Sequence, residues 1–304
     1  MMPARERTPI DVLCVGETMA VLAPEDALPF RVGGPLALHV GGAESNVAGG
    51  LAAAGHRVAW ASRVGRDAFG DLIVDELAAS GIDVSYVERT SAPTGVYFKS
   101  PENDGVRPLY YRSGSAASTM DAPFADHLAE RVQPRIVHVS GITAQISATG
   151  LELLRRVCVD RVFADALVSF DVNHRPALAD AATPDALLAL ARAADVCFVG
   201  ADEAARVWGC SAAQIPELLR GPRHLVVKDA DVDAVEYTGA VLTRVPAARV
   251  EVVEPTGAGD AFAAGWLDAY LAGASAHVRL EAGHRRAALA LTSHGDTSHG
   301  TGAR

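Results

Sequence analysis

The chain has 304 residues, 49% hydrophobic and 21% charged, the composition of an ordinary globular protein with room for one large domain or a domain with an appendage. Its net charge of −10 argues against a nucleic-acid or anionic-membrane surface, because such binders need a basic face to displace counterions. An anionic ligand must therefore find a local basic pocket. No run approaches the ~18 apolar residues of a membrane span. Cys14, Cys158, Cys197 and Cys210 stand singly in apolar or helical surroundings, which reads as small core residues in a reducing cytoplasm.

The apolar run 11–16 closes on a glycine, as a buried strand of a parallel sheet does. From 18 to 40, Pro24, Pro29, Gly33, Gly34 and Pro35 break the pattern into short strands and turns. A small-residue helix is expected from Val47 to Ala54, then a strand at 58–62 and a helix at 69–80 stopped by Gly81. The alternating segments 95–99 and 106–112 flank a linker with hairpin chemistry, and with 18–40 they suggest a small antiparallel sheet. Helices at 122–131, 151–160, 184–193 and 202–208 then alternate with strands at 136–140, 168–172, 196–199 and 225–228. Further short strands are expected within 241–253, two helices from Ala261 and Ala276, and a frayed tail from Ser298. Asp11 and Glu17 read as solvated or capping charges.

The chain is organised around Glu254-Pro255-Thr256-Gly257-Ala258-Gly259-Asp260-Ala261-Phe262, a small-residue turn opening a helix. The minimal side chains of Gly257, Ala258 and Gly259 let an anion approach backbone N–H groups at the positive end of the helix dipole. Asp260, in the first turn, could take a proton from a hydroxyl attacking a phosphorus. An ordinary Asp with a pKa of about 3.9 would already be ionised for that task. The same pattern also suits a plain glycine turn with an acid stabilising the helix. No Walker A sequence is present. His284, His294 and His299 match no zinc spacing.

This turn and the stretch Gly41-Gly42-Ala43-Glu44-Ser45-Asn46-Val47-Ala48 resemble the paired signatures of the ribokinase-like (PfkB) family of sugar kinases, and the likeness runs from about Val12 to about Leu291. It implies an α/β fold: one ribokinase-like three-layer α/β/α sandwich over 1–304, with a mostly parallel central sheet and a β lid from about 17–40 and 84–113. The resemblance brings ATP and Mg²⁺ as cofactors, a cytoplasmic setting and a homo-oligomer formed through the lid. Within the family, the Gly-Gly-Ala-Glu-Ser-Asn variant and the runs 110–116, 140–143 and 171–175 resemble the 2-keto-3-deoxygluconate kinases. Substrate binding then falls to Gly42, Ala43, Asn46, Tyr97, Tyr110, Arg112 and Arg175, with an arginine fork suited to a sugar-acid carboxylate. Surface ion pairs for the arginines, lid packing for the tyrosines, turns for the glycines and a helix cap for Asn46 are the alternatives.

The resemblance also implies that Asp260 accepts the proton of the 6-hydroxyl, while the amides of Gly257, Ala258 and Gly259 stabilise the phosphoryl oxygens. Glu203 matches a residue that helps hold hydrated Mg²⁺, although it also reads as a helix-start acid. Lys228, Ala230 and Asp233 lie where the family reads Lys-x-Gly-x-x-Gly beside the nucleotide, so both glycines are lost. Strain and crowded carboxylates, hence weaker ATP binding, are expected there.

Overall fold

Strand and helix alternate from the first strand onward in the computed structural model, which describes residues 7–26, 28–102, 105–252 and 256–292. Glu254, Pro255, His294, His299 and the tail from Ser298 lie outside the described residues. In chain order the first half holds β1 (Thr8–Val15), β2 (Met19–Pro24), β3 (Leu36–Gly41), α1 (Ala43–Ala53), β4 (Val58–Gly65), α2 (Ala68–Ala79), β5 (Asp83–Thr90), β6 (Val96–Glu102), β7 (Gly105–Tyr111), α3 (Ala122–Arg131) and β8 (Val132–Ser140). The second half holds α4 (Gly141–Ile146), α5 (Ala148–Cys158), β9 (Leu167–Asp171), α6 (Thr183–Ala193), β10 (Val196–Gly200), α7 (Ala201–Trp208), α8 (Ile215–Leu218), β11 (His224–Asp229), β12 (Asp233–Thr238), β13 (Val241–Pro246), α9 (Ala258–Leu271) and α10 (Ala276–Leu291).

Nine strands form one sheet in the order β13-β12-β11-β10-β9-β8-β1-β4-β5. Every pairing from β11 to β5 is parallel, and only the pairings of β12 with β11 and with β13 are antiparallel. Because side chains alternate across a strand, a parallel strand covered on both faces reads as a continuous apolar run. β1 shows this: Leu13 and Val15 join a core with Phe124 of α3, Leu153 of α5 and Leu187 of α6. Val12 and Cys14 join the opposite core with Leu51 of α1, Ile73 of α2, Trp266 of α9 and Leu280 of α10. Trp60 and Trp266 are fully buried, each contributing on the order of 2–3 kcal/mol by removing its surface from water.

A second sheet of four strands has the order β3-β2-β6-β7. Its outer pairs are antiparallel, but β2 and β6 run parallel because the chain passes through the large sheet between them. The stretch expected to form the lid at 84–113 therefore divides. β5 pairs parallel with β4 at the edge of the large sheet, returned there by α2, and only β6 and β7 join the small sheet. The helix after the Gly-Gly turn begins at Ala43, earlier than expected. Residues 247–252 form no strand, whereas β12 precedes them unforeseen, its alternation hidden by Glu236, which is buried where an apolar residue was expected.

Candidate active site

In the large sheet, chain order runs one way from β1 through β4 to β5 and the other way from β8 to β11. The crevice at the carboxyl ends of β1 and β8 is thus the topological switch point, where open α/β sheets bind ligands. Glu17 follows β1, Ser140 ends β8, Asp171 ends β9, Gly200 ends β10 and Lys228 lies near the end of β11. α2 to α5 are capped by the side chains of Asp67, Asp121, Ser140 and Ser147, but α1 and α9, which open on the crevice, have no side-chain cap.

The turn before α9 has the required conformation: Gly257 is its N-cap with φ of 81°, a left-handed backbone that glycine adopts without steric cost. The amides of the first helical turn have no partner within the helix and point along the positive end of its dipole. A Cβ at Gly259 would sit 3.4 Å from Nζ of Lys228, so an ammonium and the amide turn face one place. Lys228 donates to Oδ2 of Asp171 at 2.9 Å. Burial alone would lower the Lys228 pKa, but the carboxylates of Asp171, Glu203 and Asp260 raise it above the ordinary lysine value.

Asp260 is brought to the other signature directly. Its Oδ2 accepts from Nδ2 of Asn46 at 2.9 Å, a bond across 214 residues of sequence. Asn46 lies inside α1, so it is not the cap of that helix. Desolvation raises the Asp260 pKa to about 6, with Asp171 adding to the rise while Asn46, Arg175 and Lys228 oppose it. The carboxyl is not the ordinary aspartate expected from sequence. It is nonetheless ionised at neutral pH, and its pKa lies closer to the operating range of a general base.

Other expected residues fall into two groups. In the small sheet, Tyr97 is buried against Met19 and Val21, its ring centroid 5.4 Å from that of Tyr110. Arg112 is 7% exposed, its guanidinium 5.7 Å from the Tyr110 ring, and it pairs with Glu17, which also accepts from Ser115. The solvated role expected of Glu17 is thus incorrect: it is a buried partner of the arginine. The buried Nε of Arg112 has no acceptor. Gly42 packs on the backbone of Glu17 and Thr18, where a Cβ would clash, and Ala43 is the buried first residue of α1. Arg175 is half-buried, with its backbone N–H donated to Gln145 Oε1 at 2.9 Å.

On the other side, a cleft of about 820 Å³ is lined by Lys228, Ala230, Asp231, Asp233 and Gly259 together with Val250, Phe262 and Leu291. Ala230 has φ of 41°, the left-handed region expected of a glycine. Asp233 is buried and paired with Arg244, so its charge does not add to the crowding. Glu203 accepts from the backbone of His174 and, at 3.0 Å, from Gly200, closing the first turn of α7. Its burial and the neighbouring Asp171 raise its pKa. Among the described residues, no three His, Cys, Asp or Glu side chains cluster as a direct metal site.

Three residues that the structure places around the crevice were not singled out from sequence: Asp171, Glu44 and Gln145. The first two stood inside quoted runs, but only the fold shows Asp171 pairing with Lys228 and Glu44 buried beneath the crevice.

Comparison with known proteins agrees with this fold. The profile described as pfkB family carbohydrate kinase matches residues 10–301. The 2-dehydro-3-deoxygluconokinase of Bacillus subtilis is 34% identical over 94% of this chain and 91% of its own length. The enzyme of the same name from Thermoproteus tenax is 32% identical over 94% and 90%. A crystal structure of a PfkB protein from Polaromonas sp. JS666 superposes with a TM-score of 0.83 at 32% identity, covering 95% of this chain and 98% of that one.

Proposed function

Since the chain belongs to the pfkB family of carbohydrate kinases, and is thus an ATP-dependent sugar kinase with a ribokinase-like fold, we propose that its substrate is 2-keto-3-deoxygluconate, phosphorylated on the 6-hydroxyl. The observation that carries the choice of a sugar acid is the buried guanidinium of Arg112, whose Nε lacks an acceptor. A buried cationic donor left unmatched costs about 1–3 kcal/mol or more, which a substrate carboxylate relieves. The names of the relatives support the same substrate.

In the proposed reaction Asp260, oriented by Asn46, takes the proton of the 6-hydroxyl as its oxygen attacks the γ-phosphorus of ATP in line. The amides of Gly257, Ala258 and Gly259 and the Lys228 ammonium meet the charge on the transferring oxygens. Tyr97, Tyr110, Arg112 and Arg175, with the Gly42–Ala43 backbone, hold the sugar acid. Lys228, Ala230 and Asp233 border the nucleotide. The carboxylates of Glu203 and Asp171 offer the hard oxygens that suit Mg²⁺ retaining its waters, and the ion would neutralise phosphate charge. The small sheet acts as a lid that excludes water.

The other face of that sheet presents Leu38 and Tyr111, 47% and 68% exposed, with Phe30 packed edge-on against Phe98 at 5.8 Å. This apolar surface supports a homo-oligomer formed through the lid. No helix among the described residues is long and apolar enough to cross a membrane, and the ATP requirement suits a cytoplasmic setting.

The test is ADP release with 2-keto-3-deoxygluconate, its C4 epimer, fructose and ribose. A kcat/KM for one of the sugar acids at least roughly 10-fold above both neutral sugars is expected from a fixed carboxylate partner. Equal or better turnover of fructose or ribose overturns the sugar-acid reading and leaves another sugar kinase of the family.

A further inference from the structure

Glu44 is 1% exposed, and no task assigned so far uses it. Its Oε1 accepts from the backbone N–H of Ser140 at 3.0 Å and from the Ser140 hydroxyl at 2.7 Å. Gly16, at the end of β1, makes room for it, since a Cβ there would overlap the carboxyl. The Ser140 hydroxyl in turn accepts from the N–H of Ile142 and caps α4. That helix carries Gln145, whose Oε1 accepts from the N–H of Arg175 at 2.9 Å. Two residues beyond Glu44 on α1, Asn46 donates to Asp260. Glu44 is therefore the joint between two arms of the crevice, one ending at the base and one at an arginine of the sugar side.

We propose that Glu44 is a positioning residue: through Ser140 it fixes the first turn of α1, and with it the Asn46 amide that orients Asp260, against the α4 segment that holds Arg175. This rests on the sugar-kinase mechanism above. A carboxylate is a costly choice for a buried tether unless its donors are well placed, and both contacts with Ser140 meet that condition. The groups facing Glu44 are Ser140 of β8, Cys14 of β1 and Asp260 of α9. Burial raises the Glu44 pKa to about 7, with Ser140 opposing and Asp260 adding to the rise. Asp260 itself is faced by Asn46, Asp171, Arg175 and Lys228.

Two variants separate tether from charge. Glu44→Gln keeps an oxygen acceptor for Ser140 and removes the charge; Glu44→Ala removes both. Glu44→Ala is expected to lower kcat roughly 10–100-fold, as a misplaced base does, with the KM for ATP within about 3-fold. Glu44→Gln should recover most of that loss. The kcat ratios are read with whichever sugar the unaltered enzyme turns over, so they report on Glu44 even if the sugar-acid assignment fails. Should Glu44→Ala not fold, Ser140→Ala, which removes the hydroxyl donor of the tether, decides by the same split of kcat against KM. Support requires the kcat loss with recovery by Gln; wild-type kcat in Glu44→Ala, a loss confined to KM, or no recovery in Glu44→Gln overturns the proposal.

Discussion

Two carboxylates packed on α9 are treated in opposite ways. Asp260, in the first turn, has one side-chain donor, Asn46, and its pKa rises to about 6. Glu236 of β12 packs on the same helix at Trp266, about 9 Å further along at 1.5 Å per residue. It accepts from Trp266 at 3.0 Å, from Thr238 at 3.0 Å and from Nε of Arg279 at 3.2 Å, and lies 2.9 Å from Nδ1 of His224. Despite burial, which alone would raise it, its pKa falls to about 2 through His224, Arg279 and Trp266. Glu236 is fully buried and Asp260 half-buried, so burial alone would predict the opposite order of pKa. What separates them is how many donors fill the lone pairs: a saturated carboxylate is locked in its charged form, whereas a starved one keeps affinity for a proton and can take one from substrate.

The sharpest break of this contrast is Asp260→Asn. Loss of the base is expected to reduce kcat roughly 10²–10⁴-fold while sugar-acid affinity stays within a few-fold, checked by steady-state kinetics and calorimetry. Near-full turnover would remove Asp260 from the mechanism. Glu236→Ala should do the reverse. It strands Arg279, which is 8% exposed, without its buried partner. Breaking such a pair costs about 3–5 kcal/mol of stability, visible in urea unfolding, while kcat per folded molecule holds.

The pH responses should part in the same way. A base at Asp260, as proposed, works only when ionised, so kcat/KM is expected to be full well above pH 6 and to fall about tenfold per unit below it, with an acid midpoint near the Asp260 pKa of about 6. Glu236 has its folded pKa lowered from 4.5 to about 2. Its contribution to stability is present above pH 4.5 and is lost as pH falls from there through about 2. Activity should thus disappear before this contribution to the fold does. An activity midpoint near pH 4 would mean that Asp260 is an ordinary exposed carboxylate and that the contrast fails.

How far each carboxylate was legible in the sequence follows from the range of its partners. Asp260 stood out because the small residues beside it are consecutive and the helix after it is apolar. The parallel sheet was readable for the same local reason, since strands covered on both faces are apolar throughout. Glu236 was not readable: its partners lie at 224, 238, 266 and 279, and no local pattern links them. Glu17 failed similarly, because the arginine that buries it is far away at 112. The membership of β5 was misjudged because alternation reveals a strand but not its neighbour, and only the pairing with β4 assigns it to the large sheet. Residues 248–252 have the apolar spacing of a strand, yet Val250 and Val252 line the large cleft instead of joining the sheet.

Arg112 extends the comparison to a cation, buried like Arg279 but with an unmatched Nε. Arg112→Lys keeps a charge beside Glu17 and removes the planar fork. The KM for the sugar acid should rise roughly 10-fold, the value of one charge-assisted hydrogen bond, while neutral sugars are turned over as before. An equal change for all sugars would mean that Arg112 only supports the lid.

The smallest expected effect concerns backbone strain on the nucleotide side. Ala230 is held at φ of 41° at the lip of the cleft proposed for the nucleotide, and Asn173, just past β9, has φ of 42°. A non-glycine residue in this region costs roughly 1 kcal/mol, which the surrounding hairpin must offset. Ala230→Gly removes that cost from the folded chain but also gives the unfolded chain more freedom to lose, so the net gain in stability should be about 0.5 kcal/mol or less. Its effect on the KM for ATP is the more informative reading. If the strained alanine holds the hairpin short of the phosphates, glycine should lower that KM a few-fold and leave the sugar KM unchanged. If both KM values stay fixed, the left-handed turn already stands where a nucleotide needs it, and the replacement of the usual glycine carries no functional consequence.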